Sequence, residues 1–206
     1  MQRILFLGDS ITDAGRIRTL EDDGTHLGYG YAAQVAASLG CEFPGQFEFF
    51  NKGISGNKIT DIYARMGRDV TALKPDYMSF MIGVNDVWHM NKGDGVRIDR
   101  FEKIYRMFIE DVLEALPNLK IMLMTPFCDS VTDEIFDGFN DEVFKRAAVI
   151  KEVADEYGFA FMNTQAIIDD IQKKAPLDYW TADGVHPTIF GHKMIADEWI
   201  RVFKKM

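Results

Sequence analysis

Short, almost unbroken apolar runs alternate along this chain with stretches of helical period, and that alternation leaves few folds open. Residues 3–7 (Arg-Ile-Leu-Phe-Leu), 47–51, 77–82, 120–124 and 160–163 read as strands. Between them the spacing predicts an amphipathic stretch at 31–39 and helices at 59–73, 141–157, 164–174 and 189–203. The clearest helix begins near Asp99, where Phe101, Ile104, Tyr105, Phe108, Ile109, Val112 and Leu116 recur at three- and four-residue steps. Pro117 stops it, and Pro75 breaks the chain ahead of the third strand. A strand apolar on both faces can expose neither, so the expected sheet is parallel and covered by helices on both sides. The fold class that follows is α/β: a doubly wound sandwich with a central parallel sheet of five strands. With 206 residues and 47% hydrophobic content, the chain can bury one full core, and a single domain over 1–206 is expected.

The formal net charge of -9 speaks against nucleic acid as a partner, because phosphate binding needs clustered Lys and Arg. It speaks equally against docking on an anionic membrane surface. Cys41 and Cys128 are the only cysteines and fall in different elements, so free buried thiols are expected rather than a disulfide. Neither has a second Cys or His at ligand spacing. Met1-Gln2-Arg3 leads straight into a short apolar strand, with no signal-peptide pattern, from which a cytoplasmic location is expected.

In a parallel sheet the carboxyl ends of the strands share one rim, where open α/β proteins keep their reactive groups. The first strand ends at Gly8-Asp9-Ser10, and the second runs into Lys52-Gly53-Ile54-Ser55-Gly56. The third runs into Gly83-Val84-Asn85-Asp86, and a late loop carries Asp183-Gly184-Val185-His186. A serine hydroxyl is a poor nucleophile until an adjacent base takes its proton, and an imidazole titrates near neutral pH. Ser10, His186 and Asp183 are therefore the candidate nucleophile, base and orienting acid for acyl transfer. Alone, Ser10 would more readily be read as a helix cap and His186 as a surface residue. Asp183 three residues before His186, and Pro187 stiffening the turn, favour the catalytic reading. Asp9 reads chiefly as an anchor for the serine loop, Asp86 as a cap for the next segment, and His26, His89 and His192 as bystanders.

Gly8-Asp9-Ser10, the glycine at 56, Gly83-x-Asn85-Asp86 and Asp183-x-x-His186 together resemble the four blocks of the SGNH (GDSL-type) hydrolases, in the family's order. The finer likeness is to the small intracellular acetylxylan esterases of that family. Its residues are Gly8-Asp9-Ser10-Ile11-Thr12-Asp13, Asn51-Lys52-Gly53-Ile54-Ser55-Gly56-Asn57, Ile82-Gly83-Val84-Asn85-Asp86-Val87-Trp88, Leu123-Met124-Thr125-Pro126-Phe127 and Val185-His186-Pro187. The resemblance implies a flavodoxin-like sheet and metal-free, cofactor-free ester hydrolysis by a serine nucleophile. It also implies an oxyanion hole from the N–H of Ser10, the N–H of Gly56 and the side-chain amide of Asn85. Gly53 competes for the second place, and the family pattern favours Gly56. A homo-oligomer is expected by the same likeness.

Asp9, Trp88 and Trp180 are the candidate substrate contacts. The two tryptophans flank the Asn85 and Asp183 blocks, where aromatic faces could stack on a sugar or serve as wall residues. The loops at 89–97 and 13–28 are polar, which favours a short acyl group on a hydrophilic alcohol. The expected activity is removal of acetyl groups from xylo-oligosaccharides or related sugars. A thioesterase or lysophospholipase with a longer acyl pocket is the alternative. A catalytically silent carbohydrate-binding protein on the same fold is disfavoured, because nucleophile, base and acid are all present.

Overall fold

The computed structural model describes residues 1–17, 26–129 and 136–206. Five strands, β1 (Gln2–Gly8), β2 (Phe47–Gly53), β3 (Tyr77–Met81), β4 (Lys120–Met124) and β5 (Ala160–Met162), form one sheet. Their order is β2-β1-β3-β4-β5 and every pairing is parallel. The expected α/β class and strand number hold. The polar loop expected at 13–28 lies partly outside the described residues.

Side chains of a strand point alternately to opposite faces, and β1 shows why both faces are covered. Ile4 and Phe6 pack with helices α2 (Tyr31–Glu42), α7 (Thr164–Ile171) and α9 (Ile189–Phe203). Leu5 and Leu7 pack on the other face with α3 (Ile59–Met66), α5 (Ile98–Ala115) and the second half of α6 (Phe139–Tyr157). All four β1 side chains are fully buried. On α5 the stripe carried by Phe101, Tyr105, Phe108, Ile109 and Val112 is buried as its spacing predicts.

Differences lie in short elements. The helix expected at 59–73 ends at Met66 and continues as a π-helical turn, Gly67–Thr71. Three helices of four or five residues, α1 (Ser10–Asp13), α4 (Val84–Trp88) and α8 (Leu177–Trp180), were not expected, since a single turn leaves no period to detect. Cys128 is buried, but Cys41 is exposed on α2, against the expectation of two buried thiols. Among the described residues no helix is long and apolar enough to cross a membrane.

Candidate active site

The serine elbow is built by close backbone approach at the end of β1. A side chain at Gly8 would start 2.3 Å from Thr12 Oγ1 and 2.6 Å from the Met81 carbonyl, so only glycine fits there. Asp9 follows as the N-cap of α1, its carboxylate accepting the Ile11 N–H at 3.1 Å. That places Ser10 at the first helical position, where its own N–H has no intrahelical acceptor. Asn51 of β2 braces the far side of the elbow, donating from Nδ2 to the Thr12 carbonyl at 2.7 Å.

The acid and base share a small closed loop. Ala182 N–H donates to the His186 carbonyl, Thr188 N–H donates to the Trp180 carbonyl, both at 2.8 Å, and Thr181 bridges Pro187. Gly184, at φ 84°, turns the chain inside this hairpin, and its N–H donates to Thr181 Oγ1. Asp183 Oδ1 accepts the N–H groups of Val185 and His186, at 3.0 and 2.8 Å, leaving Oδ2 for the imidazole Nδ1 at 2.7 Å. Burial pushes the Asp183 carboxyl up, but the backbone and ring donors of His186 and the Val185 N–H outweigh it and hold it below the ordinary range. An ionised carboxylate only accepts, so the ring hydrogen sits on Nδ1 and Nε2 offers its lone pair. That nitrogen lies 2.9 Å from Ser10 Oγ, across 176 positions of sequence. Hydroxyl, imidazole and carboxylate are thus in line for proton transfer.

The remaining rim groups sit beside Ser10 on loops from its two neighbouring strands. The turn at 54–57 is closed by Asn57 N–H to the Ile54 carbonyl, and tied to the elbow by Ile54 N–H to the Gly8 carbonyl and Ser55 N–H to Asp13 Oδ2. Gly56 takes φ 82° there, with open space where a side chain would begin. Gly53 differs: its N–H is already given to Asn51 Oδ1 at 2.9 Å, so it has no donor to offer. Asn85, almost fully buried on α4, donates from Nδ2 to the Asn57 carbonyl at 3.2 Å. The same Nδ2 keeps a second hydrogen.

The structure settles where three further residues of the sequence reading lie, and corrects that of Asp86. Asp9, 1% exposed, holds the anchoring place that the sequence chiefly suggested, as the cap of α1, and shows no surface to a substrate; burial pushes its carboxyl up to about 6, against the lowering effect of the Ile11 N–H and the His186 ring. Trp180 is 8% exposed and anchors the catalytic loop, donating from Nε1 to the Ala175 carbonyl at 3.0 Å. Asp86 caps not the segment after it but α3, accepting the Ile59 N–H at 3.1 Å. Trp88 does stand at the site: its half-buried ring is edge-on to Phe139 and 6.4 Å from the His186 ring. Sequence reasoning gave Asn57 no role of its own and passed over Arg65, whose side chain reaches both Asn57 and Gly8. No spacing rule signals that connection, because it runs between a loop, a helix and a strand end.

The profile of the GDSL-like Lipase/Acylhydrolase family matches residues 6–194. An acetylxylan esterase of Geobacillus stearothermophilus is 38% identical over 209 residues, covering 97% of this chain and 93% of that one. Among solved structures, a GDSL-like lipase of Parabacteroides merdae superimposes with a TM-score of 0.93 at 33% identity, covering 98% of this chain and 95% of that one. The acetylxylan esterase Axe2 of G. stearothermophilus does so with a TM-score of 0.88 at 35% identity, over 98% and 93% of the two chains. With three strand-end blocks and the loop of Asp183 and His186 gathered on one rim of a matching sheet, the chain belongs to the GDSL-like lipase/acylhydrolase family and is a carboxylic ester hydrolase.

Proposed function

We propose that this protein is a serine esterase of one domain over 1–206. In this reading it removes acetyl groups from xylo-oligosaccharides or related sugars, with Ser10 as nucleophile, His186 as base and Asp183 as its orienting acid. The observation that carries the reading is the 2.9 Å contact between Ser10 Oγ and His186 Nε2, with Asp183 on the other ring nitrogen. Ser10 Oγ attacks the ester carbonyl while its proton passes to Nε2. The tetrahedral oxyanion meets the N–H of Ser10, the N–H of Gly56 and the second hydrogen of Asn85 Nδ2. Collapse breaks the bond to the sugar oxygen, which leaves with the proton from Nε2. A water molecule then attacks the acetyl-serine, gives its proton to the same nitrogen, and the serine is restored as acetate departs. Support for these roles also comes from Axe2. Its catalytic mutants each replace one residue by alanine, a serine, an aspartate or a histidine, and their structures are similar to this one at 34% identity.

The substrate class rests on the acetylxylan esterase relative, the exposed polar loop at 91–94 and the half-buried Trp88 beside His186. Acetate release from a panel of acetylated sugars, with Ser10→Ala as control, tests it. Turnover of acetylated xylo-oligosaccharides that disappears in the variant is the expected result. A p-nitrophenyl ester series adds the acyl length: activity should fall sharply beyond propionate, and a maximum at octanoate would replace this reading with a thioesterase or lysophospholipase. A homo-oligomer belongs to the same proposal, by likeness to the family alone, and light scattering on the purified protein decides it.

A further inference from the structure

The guanidinium of Arg65 bonds to two of the segments that carry the proposed oxyanion hole and to a carboxylate that anchors it. Its side chain is 9% exposed. Nε donates to Asn57 Oδ1 at 2.8 Å, Nη2 to the Gly8 carbonyl at 3.2 Å, and Nη1 to Asp69 Oδ2 at 2.6 Å. Asn57 follows Gly56 directly, and its own carbonyl accepts Asn85 Nδ2. Gly8 is the last residue of β1, two positions before Ser10. One cation therefore ties together the loop bearing the Gly56 N–H, the amide of Asn85 and the strand end that delivers Ser10.

The anchor for this cation is equally specific. Asp69 lies four residues on, within the π-helical turn Gly67–Thr71, and also accepts Arg68 Nε at 2.8 Å. Burial pushes the Asp69 carboxyl up, yet Arg68 and Arg65 together bring it below the ordinary range, so it stays ionised as their partner. A π turn widens the helix locally, and such turns are frequent at functional sites. The planar fork spreads its donors over three nitrogens and so reaches a side-chain amide, a main-chain carbonyl and a carboxylate that lie apart; a lysine ammonium keeps the charge but gathers its three N–H donors at one point.

We propose that Arg65 is a positioning residue for catalysis: through Asn57 and Gly8 it sets the spacing between the Ser10 elbow and the Gly56 and Asn85 donors. It touches no substrate, so its effect belongs on the chemical step rather than on binding. A misplacement of about 1 Å at a reacting centre can cost roughly 10²-fold in rate.

The inference rests on the esterase reading above, and its test is arranged to separate the two. Steady-state hydrolysis of p-nitrophenyl acetate is measured for wild type, Arg65→Lys, Asn85→Ala and the double variant, each with its Tm. Arg65→Lys should lower kcat about 10–10²-fold with KM within about twofold. In the Asn85→Ala background the same change should cost much less, because part of what Arg65 positions is already gone. Equal losses in both backgrounds, a loss confined to KM, or a full kcat in Arg65→Lys would overturn the proposal. Should Arg65→Lys fail to fold, Asn57→Ala leaves the Arg65–Asp69 pair in place and removes only the Nε acceptor. It should lower kcat about fivefold or more at unchanged KM, and an unchanged kcat overturns the proposal. A wild type that does not turn over the ester at all would instead refute the esterase reading itself.

Discussion

Ser10, His186 and Asp183, the proposed triad, are ordinary side chains set apart by what fixes them. The carboxylate sets the ring tautomer, the ring faces the hydroxyl, and the backbone of the 181–188 loop closes on itself to hold both. Two glycines that look alike in sequence divide sharply at this scale. At Gly53 an added Cβ would start 2.2 Å from the Asp13 nitrogen, a backbone atom that cannot move aside. At Gly56 nothing lies within 4 Å, and the obstacle is a φ of 82°. Gly56→Ala should therefore fold, lose about 1–2 kcal/mol of stability and lower kcat by about 10-fold or more as the N–H shifts. Gly53→Ala should lose far more Tm. Thermal melts and p-nitrophenyl acetate kinetics on both variants check this; a Gly56→Ala enzyme with wild-type kcat would remove that N–H from the oxyanion hole. Residue type and block order were enough to nominate the proposed triad and Asn85, and the family pattern to prefer Gly56 over Gly53. Asp9 was legible as an anchor, but Trp180 was left open between sugar contact and wall, because an indole beside a reactive block carries no mark of whether it is buried.

Among the elements, α4 and α3 are joined by a buried carboxylate. Asp86 on α4 accepts the first N–H of α3 with both oxygens, at 3.1 and 3.3 Å, and so couples the Asn85 segment to the turn bearing Gly56. Burial pushes its carboxyl up to about 7, although the Ile59 N–H and Arg146 pull it down. Asp9, the other carboxylate acting on it, raises it further. An unfolded aspartate titrates near 3.9, so between about pH 4 and 7 the folded state binds the extra proton and stability falls as pH rises. One such group contributes up to about 1.4 kcal/mol per pH unit. Asp86→Asn removes that dependence while keeping an acceptor for Ile59. The Tm of the variant minus that of wild type should grow from pH 4 to pH 8, and a difference constant with pH would show that Asp86 is ionised throughout. Long helices such as α5 were legible because several turns repeat their pattern. The π turn after α3 and the single-turn helices at 10–13, 84–88 and 177–180 were not, since capping and tertiary bonds define them.

For the whole molecule, strand order matters most. With β1 between β2 and β3, Ser10 emerges between the loops of its two neighbours, which carry Gly56 on one side and Asn85 on the other. His186 reaches that rim because α9, starting two residues after Pro187, packs along α2 and the sheet. Trp199 is the main anchor of that packing, 1% exposed, with its ring 5.4 Å from Phe6 and 4.9 Å from Phe203. Its Nε1 has no partner among the described residues, so its contribution is packing rather than hydrogen bonding. Trp199→Ala should cost about 3–5 kcal/mol and lower Tm by about 10 °C, while kcat at 25 °C stays within a few-fold wherever the protein is folded. Calorimetry beside esterase kinetics checks this, and an unchanged Tm would mean that α9 is held elsewhere.

Hydrophobic period alone determined the layer architecture, because a strand apolar on both faces has only one way to hide them. The ordered blocks alone determined which residues are candidates for the site, because acyl transfer needs that set of groups. Tertiary structure decided which polar groups are used up and which stay free. Asp9, Gly53 and Trp180 spend their hydrogen-bonding capacity on the scaffold, and Arg65 gains a place in the site. The physical reason is that a group's partner is fixed by distance in space, and spacing along a chain carries that distance only within one element.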